Sequence, residues 1–474
     1  MEMLRKTKIV GTIGPASSSV QMLEKLAGAG MNMARLNFSY GTHEEHAKSI
    51  QAIRHVSTRL GIPLAILQDL SGPKVRTGRL EKKEVWLKEG EDFSLIGKPI
   101  TGNEHRVSVS FPAFLNDLNP GDTIFLNDGA IQLEVMSTTD IEAKCKVVVG
   151  GSLTLNKGIN VPGVKLSIPS ITSKDLADLD FGLEQGIDFV AISFVRKSSD
   201  LRRVKQFLQE KGANVPLIAK VEKHEAVDDI DNIIAEADGI MVARGDLGVE
   251  MLLKQVPTVQ KEIIRKCNQV GKPVIVATQM LESMINSIRP TRAEVSDVAN
   301  AIFDGADAVM LSGETAIGRY PVETVTMMAH IATEVEKTLP YKRILLEKGE
   351  RVIPQTDDAI SYAACHMSQQ LGASCIVAYT SSGSTALRVS KYRPEAPILA
   401  ITPYTNVARR LILSWGVNSY LAPELAKVDD IFHEAAQLSL KTGMAKSGEL
   451  VVITAGIPMG VPGSTNLIKV QRVE

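Results

Sequence analysis

The sequence predicts an α/β fold: a TIM (β/α)8 barrel with an all-β domain inserted after strand 3 and a separate α/β domain at the C-terminus. Three observations predict it. Short apolar runs alternate with helical periodicity, which calls for right-handed βαβ crossovers and a parallel sheet. Eight such runs end in polar or glycine residues, and their starts lie about 25 to 35 residues apart outside one interruption. Within that interruption, residues 71–169, the alternation stops and short β-like runs punctuated by Gly and Pro replace it.

Taken in order, Lys8 to Pro15 is an apolar strand closed by Gly-Pro. Ser17 to Ser19 can cap a helix whose Val20, Leu23, Leu26 and Ala27 share one face. Met33 to Ser39 is the second strand, Thr42 to Leu60 an amphipathic helix, and Leu64 to Leu70 the third strand. The inserted segment offers strands at Glu84–Leu87, Thr123–Leu126, Ile131–Val135 and Cys145–Val149, with Asn127-Asp128-Gly129 as a hairpin turn. A helix from Ser173, its cap, to Gln185 restarts the pattern. Phe189–Val195, Leu217–Glu222, Gly239–Asp246, Pro273–Gln279 and Ala308–Gly313 complete the eight strands. An open doubly wound sheet is the alternative; eight parallel repeats favour closure. Lys337 to Asp357, charged and carrying two prolines, is a linker or a docked connecting helix. Beyond it a helix, Ala359–Leu371, precedes strands at Cys375–Tyr379, Ile398–Ile401 and Leu450–Thr454 and a final run, Leu467–Val473. The expected units are therefore 1–70 and 170–340 (barrel), 71–169 (inserted domain) and 341–474 (C-terminal domain).

Composition narrows the function. Hydrophobic residues make up 44% and charged residues 23% of the 474, an ordinary globular balance. A net charge of −1 offers no field for nucleic acid or an anionic membrane, so any anion must be held by local sites. No apolar run approaches the ~20 residues of a membrane span, and no signal-peptide core follows the charged N-terminus. The four cysteines show no C-x-x-C spacing and are expected as buried thiols in a cytoplasmic protein.

In such a barrel, functional groups come from the carboxyl ends of several strands. Those ends carry Arg35, Asn37 and Ser39; Asp69; Ser193; Lys220 and Glu222; Arg244 and Asp246; Thr278; Ser312 and Glu314. Residues two apart on a strand share a face, so Lys220 sits with Glu222 and Arg244 with Asp246. Two carboxylates on adjacent strands can hold a Mg2+ that also binds substrate oxygens. Lys220 adds a cation at developing negative charge, Arg35 and Arg76 add phosphate clamps, and Gly245 to Gly248 can open a helix or nest that binds a carboxylate. The set suits a small, multiply anionic substrate and phosphoryl transfer or enolate chemistry. Structural ion pairs are the alternative for each pair taken singly. His43 and His46 are expected on an exposed helix face. Walker A, kinase glycine-loop, nucleophile-elbow and H-E-x-x-H motifs are absent.

The segments KIVGTIGP (Lys8–Pro15), MNMARLNFS (Met31–Ser39), IAKVE (Ile218–Glu222), MVARGDLGVE (Met241–Glu250), ATQMLESM (Ala277–Met284), PTRAEVSD (Pro290–Asp297) and MLSGETA (Met310–Ala316) resemble the pyruvate kinase family, in order and over essentially the whole chain. The resemblance implies transfer of a phosphoryl group from phosphoenolpyruvate to ADP, giving pyruvate and ATP. It implies Mg2+ (or Mn2+) on Glu222 and Asp246, and Lys220 against the transferring phosphoryl and enolate oxygens. It implies Arg35 on phosphate, Asn37, Arg76 and Lys157 at the nucleotide, and Gly245, Asp246 and Thr278 at the carboxylate. Either Thr278 or a water chain at Ser312 delivers the enolate proton. A monovalent cation site corresponds to Asn37, Ser39, Asp69 and the carbonyl of Leu70. Potassium-dependent members have Thr at the position of Leu70 and Glu at that of Lys74, so Lys74 is expected to replace K+. Tyr40 stands where His is common.

The loop Thr380-Ser381-Ser382-Gly383-Ser384-Thr385 can cradle a phosphate or be a plain capped turn. Resemblance favours an allosteric phosphate site, covered by Gly460 to Thr465, for a sugar phosphate or a nucleoside monophosphate. The family likeness also implies a homotetramer, here of the bacterial type without the extra C-terminal domain. Competing readings are a Mg2+-dependent lyase or aldolase, with a Schiff base at Lys220 as a variant, and a non-catalytic metabolite sensor.

Overall fold

The structure, a computed structural model, describes residues 4–127, 129–425, 427–458 and 463–474. Asp128 of the expected hairpin turn and Gly460 to Pro462 of the expected loop cover lie outside the described residues. Eight parallel strands close a barrel: β1 (Lys8–Thr12), β2 (Met33–Asn37), β3 (Ala65–Asp69), β4 (Phe189–Ile192), β5 (Leu217–Val221), β6 (Gly239–Ala243), β7 (Val274–Ala277) and β8 (Ala308–Leu311). β8 pairs back onto β1, with Lys8 beside Ala308, so no edge remains open and the doubly wound alternative falls.

Alternation along each strand splits the apolar residues into two cores. Ile9, Leu36, Ile66, Val190, Ala219 and Val242 face outward and pack under the helices. Val10, Met33, Leu67, Ala191, Ile218, Met241, Ile275 and Met310 fill the barrel, and Ile412 and Leu413 of the C-terminal unit join that interior cluster. The inward face is therefore apolar at depth and turns polar only at the carboxyl ends, two residues on.

Between β3 and β4 lies a six-stranded sheet, in the order Ile159–Asn160, Thr123–Leu126, Ile131–Thr139, Glu142–Val149, Asp92–Ile96, Arg106–Ser108. Glu84–Leu87 pairs with Gly151–Thr154 beside it. Alternation gives this unit its own core, including Phe93, Ile124, Leu133 and Val147. At the C-terminus five strands order as Val417–Leu421, Ile398–Thr402, Cys375–Tyr379, Leu450–Gly456, Thr465–Arg472, the last antiparallel. Val417–Leu421 was not expected: its Asn418, Ser419 and Tyr420 break the apolar run.

Several local expectations are corrected. The helix Ser173–Glu184 is capped by Thr172, whose side chain and that of Asp175 form a reciprocal capping box. The sixth strand ends at Ala243, and Arg244–Glu250 is already helix, so Arg244 and Asp246 do not share a strand face. Lys337 to Asp357 is a docked connection: its helix Tyr341–Gly349 buries Tyr341 and Leu345. His46 is buried, stacked on Phe38 with centroids 3.9 Å apart and bonded to the Tyr40 carbonyl at 2.9 Å. His43 reaches Asp178 at 2.8 Å and stacks on Phe181, so the histidine pair braces a helix against its neighbours. All four cysteines are buried free thiols, and no helix among the described residues is long and apolar enough to cross a membrane.

Candidate active site

The mouth of the barrel is built around Lys220. Parallel register sets Asn37 beside Asp69, Asp69 beside Ala191 and Ala191 beside Ile218, so Lys220, two residues further along the same face, stands just past Asp69 at the mouth. The Lys220 ammonium lies 2.9 Å from Glu222 Oε1, 3.1 Å from Asp69 Oδ1 and 2.7 Å from Ser193 Oγ. Asp69 in turn accepts from Arg35 Nε at 2.6 Å, and Arg35 Nη1 donates to Thr12 Oγ1 at 2.9 Å. All four charged groups are buried. Burial disfavours the Lys220 charge; Asp69 and then Glu222 outweigh it and hold the ammonium well above the usual lysine range. Burial likewise works against the Asp69 carboxylate, and Lys220 and Arg35 hold it below its usual range. An ammonium so firmly charged is a poor amine nucleophile, which counts against a Schiff base at Lys220.

The second carboxylate of the expected pair, Asp246, comes from the first turn of the helix after β6. Its Oδ1 lies 3.1 Å from Lys74 Nζ, whose ammonium also sits 5.9 Å from the Phe194 ring centroid. Burial pushes Glu222 up, and Asp246 nearby pushes it further, against Lys220. Asp246 is held down by Lys74 and Lys220 in spite of burial. The two carboxylates therefore feel each other across a mouth that already attracts cations.

Arg244 turns away from the mouth. It pairs with Asp297 at 2.7 Å and donates to the carbonyls of Thr278 at 2.8 Å and Gln279 at 3.3 Å. Those two residues have φ of +69° and +54°, and Phe194 has +55°. A β-branched residue in that region costs about 1–3 kcal/mol and persists only where its surroundings hold it. Arg244 holds the first two, and Glu222 Oε2 holds Phe194 by accepting its N–H at 2.8 Å. Pairing of Ala243 with Ala277 sets Gly245 against Thr278, and the Gly245 N–H donates to Thr278 Oγ1 at 2.7 Å.

The remaining expected residues spread outward. Asn37 Oδ1 accepts from Ser39 N at 3.1 Å, Ser39 Oγ accepts from Ser71 at 3.2 Å, and the Leu70 carbonyl accepts from Ser193 Oγ at 2.7 Å. Arg76 donates to the Asn156 carbonyl at 3.1 Å and lies 6.0 Å from the Tyr40 ring centroid. Lys157 is on the neighbouring segment, its N–H on Thr77 Oγ1 at 2.9 Å. Glu314 is buried, accepting from Leu281 N and Ser312 N, and burial raises its carboxyl. One contact went unforeseen: Glu250 accepts from Lys223 at 2.5 Å and from Asn160 of the inserted unit at 2.9 Å. Glu250 ends the MVARGDLGVE segment and Lys223 directly follows IAKVE, but nothing in the sequence pairs them. In the C-terminal unit, Gly383 N–H donates to Thr380 Oγ1 at 2.9 Å, Ser382 and Ser384 hydroxyls meet at 3.1 Å, and Thr385 meets Thr465 at 2.8 Å.

A pyruvate kinase barrel-domain model matches residues 4–325 and a pyruvate kinase alpha/beta-domain model residues 358–471. The chain belongs to the pyruvate kinase family. It is 50% identical to a pyruvate kinase of Geobacillus stearothermophilus, over 99% of this chain and 81% of that protein. It is 45% identical to a pyruvate kinase of Clostridium acetobutylicum, over 99% of this chain and the whole of the other. Among solved structures, a pyruvate kinase from Cryptosporidium parvum superposes with a TM-score of 0.93 at 37% identity, covering 99% of this chain and 96% of that one. The activity of the family, phosphoryl transfer from phosphoenolpyruvate to ADP giving pyruvate and ATP in glycolysis, extends to this chain through that full-length match. The family uses a divalent metal ion, Mg2+. The residues present fit one. No group of three or more His, Cys, Asp or Glu is placed to hold a metal ion by itself among the described residues. Two carboxylates at an open mouth are nonetheless what Mg2+ takes when waters and substrate oxygens complete its shell.

Proposed function

We propose that the chain performs this transfer with Lys220 as its central charge. The carrying observation is the Lys220 ammonium fixed between Asp69, Glu222 and Ser193, with Asp246 beside it. Lys220 faces the transferring phosphoryl and the enolate oxygen, and its buried partners fix it in place before substrate arrives. Arg35, oriented by Asp69 and Thr12, binds phosphate. Gly245, Asp246 and Thr278 hold the carboxylate, with Thr278 next to the carbon that takes the proton. Asn37, Arg76 and Lys157 line the nucleotide. Glu222 and Asp246 would hold Mg2+ (or Mn2+), which supplies Lewis-acid stabilisation of the phosphoryl and enolate oxygens when bound. A coupled assay of pyruvate and ATP formation, with Lys220→Met as control, tests the assignment; turnover by that variant at the wild-type rate would sink it.

We also propose that Asn37, Ser39, Asp69 and the Leu70 carbonyl form the monovalent cation locus and that Lys74 makes K+ dispensable. Its ammonium stands inside the mouth, on Asp246. Turnover is expected without K+ or NH4+, and Lys74→Glu is expected to create a K+ requirement; a wild-type enzyme silent without K+ contradicts the idea. The loop Thr380 to Thr385 is the proposed effector phosphate site, tested by whether Ser384→Glu abolishes the response to sugar phosphates and nucleoside monophosphates. A cytoplasmic homotetramer is the proposed state, checked by sedimentation.

A further inference from the structure

A second cavity lies at the other end of the barrel. Helices run back against the strands, so their C-terminal turns gather opposite the mouth. There the last turns of Val256–Val270 and Arg292–Phe303, the helix Tyr341–Gly349 and the segment after Ser384–Lys391 enclose about 310 Å³. The volume falls at the lower end of the ~300–1,000 Å³ range of small-molecule sites.

Its lining is strongly cationic. Lys391 is matched by Asp358 at 2.8 Å, and Arg393 by Asp307 at 2.9 Å. Arg265, Lys348 and Arg351 have no carboxylate within ion-pair distance among the described residues. With its amide turned to meet them, Gln269 offers one neutral oxygen to Arg265, at 2.9 Å, and to Arg351. The two acids of the lining are engaged elsewhere, Glu347 with Arg343 at 2.6 Å and Asp304 with Lys261. Arg393 is 94% buried, yet its Nη1 has no hydrogen-bond partner. Burial, and then the neighbouring Arg393, push the Lys348 ammonium down to about 7, as a cluster short of counter-charge requires. The other wall is apolar: Phe303, 51% exposed, with Ile302, Leu339 and Ile344.

We propose that this cavity binds a phosphate monoester, with the phosphate among Arg265, Lys348 and Arg351 and the organic part against Phe303 and Ile344. Guanidinium forks match phosphate oxygens two at a time, and three unneutralised cations suit a dianion better than a carboxylate. The site is separate from the Thr380 to Thr385 loop and shares no residue with it. It bears on the two barrel helices that anchor Arg244, through Gln260 at 3.4 Å and Asp297 at 2.7 Å.

Isothermal titration of the full-length protein with AMP and with inorganic phosphate tests the proposal. AMP is expected to go on binding after Ser384→Glu removes the proposed loop site, and that variant is the background for the changes below. Arg265→Gln/Arg351→Gln, two surface changes that leave the core intact, is expected to weaken it tenfold or more. Phe303→Ala is expected to weaken AMP and leave inorganic phosphate unchanged. No binding of AMP, or equal binding with and without the double change, overturns the site. Loss in Ser384→Glu alone places AMP at the loop and overturns it too, and inorganic phosphate binding as tightly as AMP removes the role of the apolar wall.

Discussion

Replacing Lys220 by Met removes one buried charge and leaves its shape nearly filled. Two consequences follow, of different size. The ammonium is 2.9 Å from Glu222 and 3.1 Å from Asp69. Breaking a buried pair strands the remaining carboxylates, at roughly 3–5 kcal/mol of stability. Asp69 keeps Arg35 at 2.6 Å, so the lower half of that range applies. For the reaction, losing one fixed donor in a water-poor site costs about 2.7–4 kcal/mol of transition-state stabilisation, or ~10²–10³ in kcat. A pyruvate-forming assay should show that fall in kcat with a much smaller change in the KM for ADP. Chemical denaturation measures the stability term separately. Lys220→Arg keeps the charge and the pairing but broadens the point charge to a planar fork, so it should fold as well as wild type and remain at least tenfold slow. A kcat within a factor of three of wild type for Lys220→Met, in folded protein, would refute the reasoning.

Three further outcomes are expected. Arg244→Gln frees the Thr278–Gln279 turn from its clamp without touching substrate, and should lower kcat by ~10²-fold with little change in nucleotide KM; unchanged kcat would deny Arg244 its positioning role. Gly14→Ala would set a Cβ 2.7 Å from the Ala316 carbonyl oxygen and 2.9 Å from its Cβ, both in the rigid β8–helix connection. It should destabilise by about 1–3 kcal/mol in denaturant titrations. Lys348 titrates near 7 folded against about 10.4 unfolded, so between those values the unfolded chain holds more protons and stability rises with pH. The gain in melting temperature from about pH 7 to 9 should therefore be smaller in Lys348→Gln than in wild type; identical slopes would contradict it.

The strand and helix periods, the break after the third strand and the polar carboxyl ends were all legible, because each is a local pattern. Their misreadings were local as well. Apolar character ran on through Val242 and Ala243 into a glycine-flanked turn, and nothing in that run marks where extended backbone becomes helix. The capping box at Thr172 was missed because Ser173, next to it, is an equally good cap. His46 reads as solvated until Phe38 is seen to stack on it.

By itself, then, the sequence determined the eight alternating strand and helix units, the break after the third and the set of charged side chains at the strand ends; closure of the barrel came with the β8–β1 pairing. It did so because burial period and strand direction are written in neighbouring residues. Only the tertiary structure decided which charges meet. Lys220 takes partners from β3 and from just beyond β4 and β5, while Arg244 leaves the site and Lys74 enters it. The cationic cavity at the opposite end exists only where Lys348 and Arg393, 80 and 125 residues further along the chain, converge on Asn268. Such contacts depend on parallel register and on how helices end, and neither is encoded next to the residues that use it.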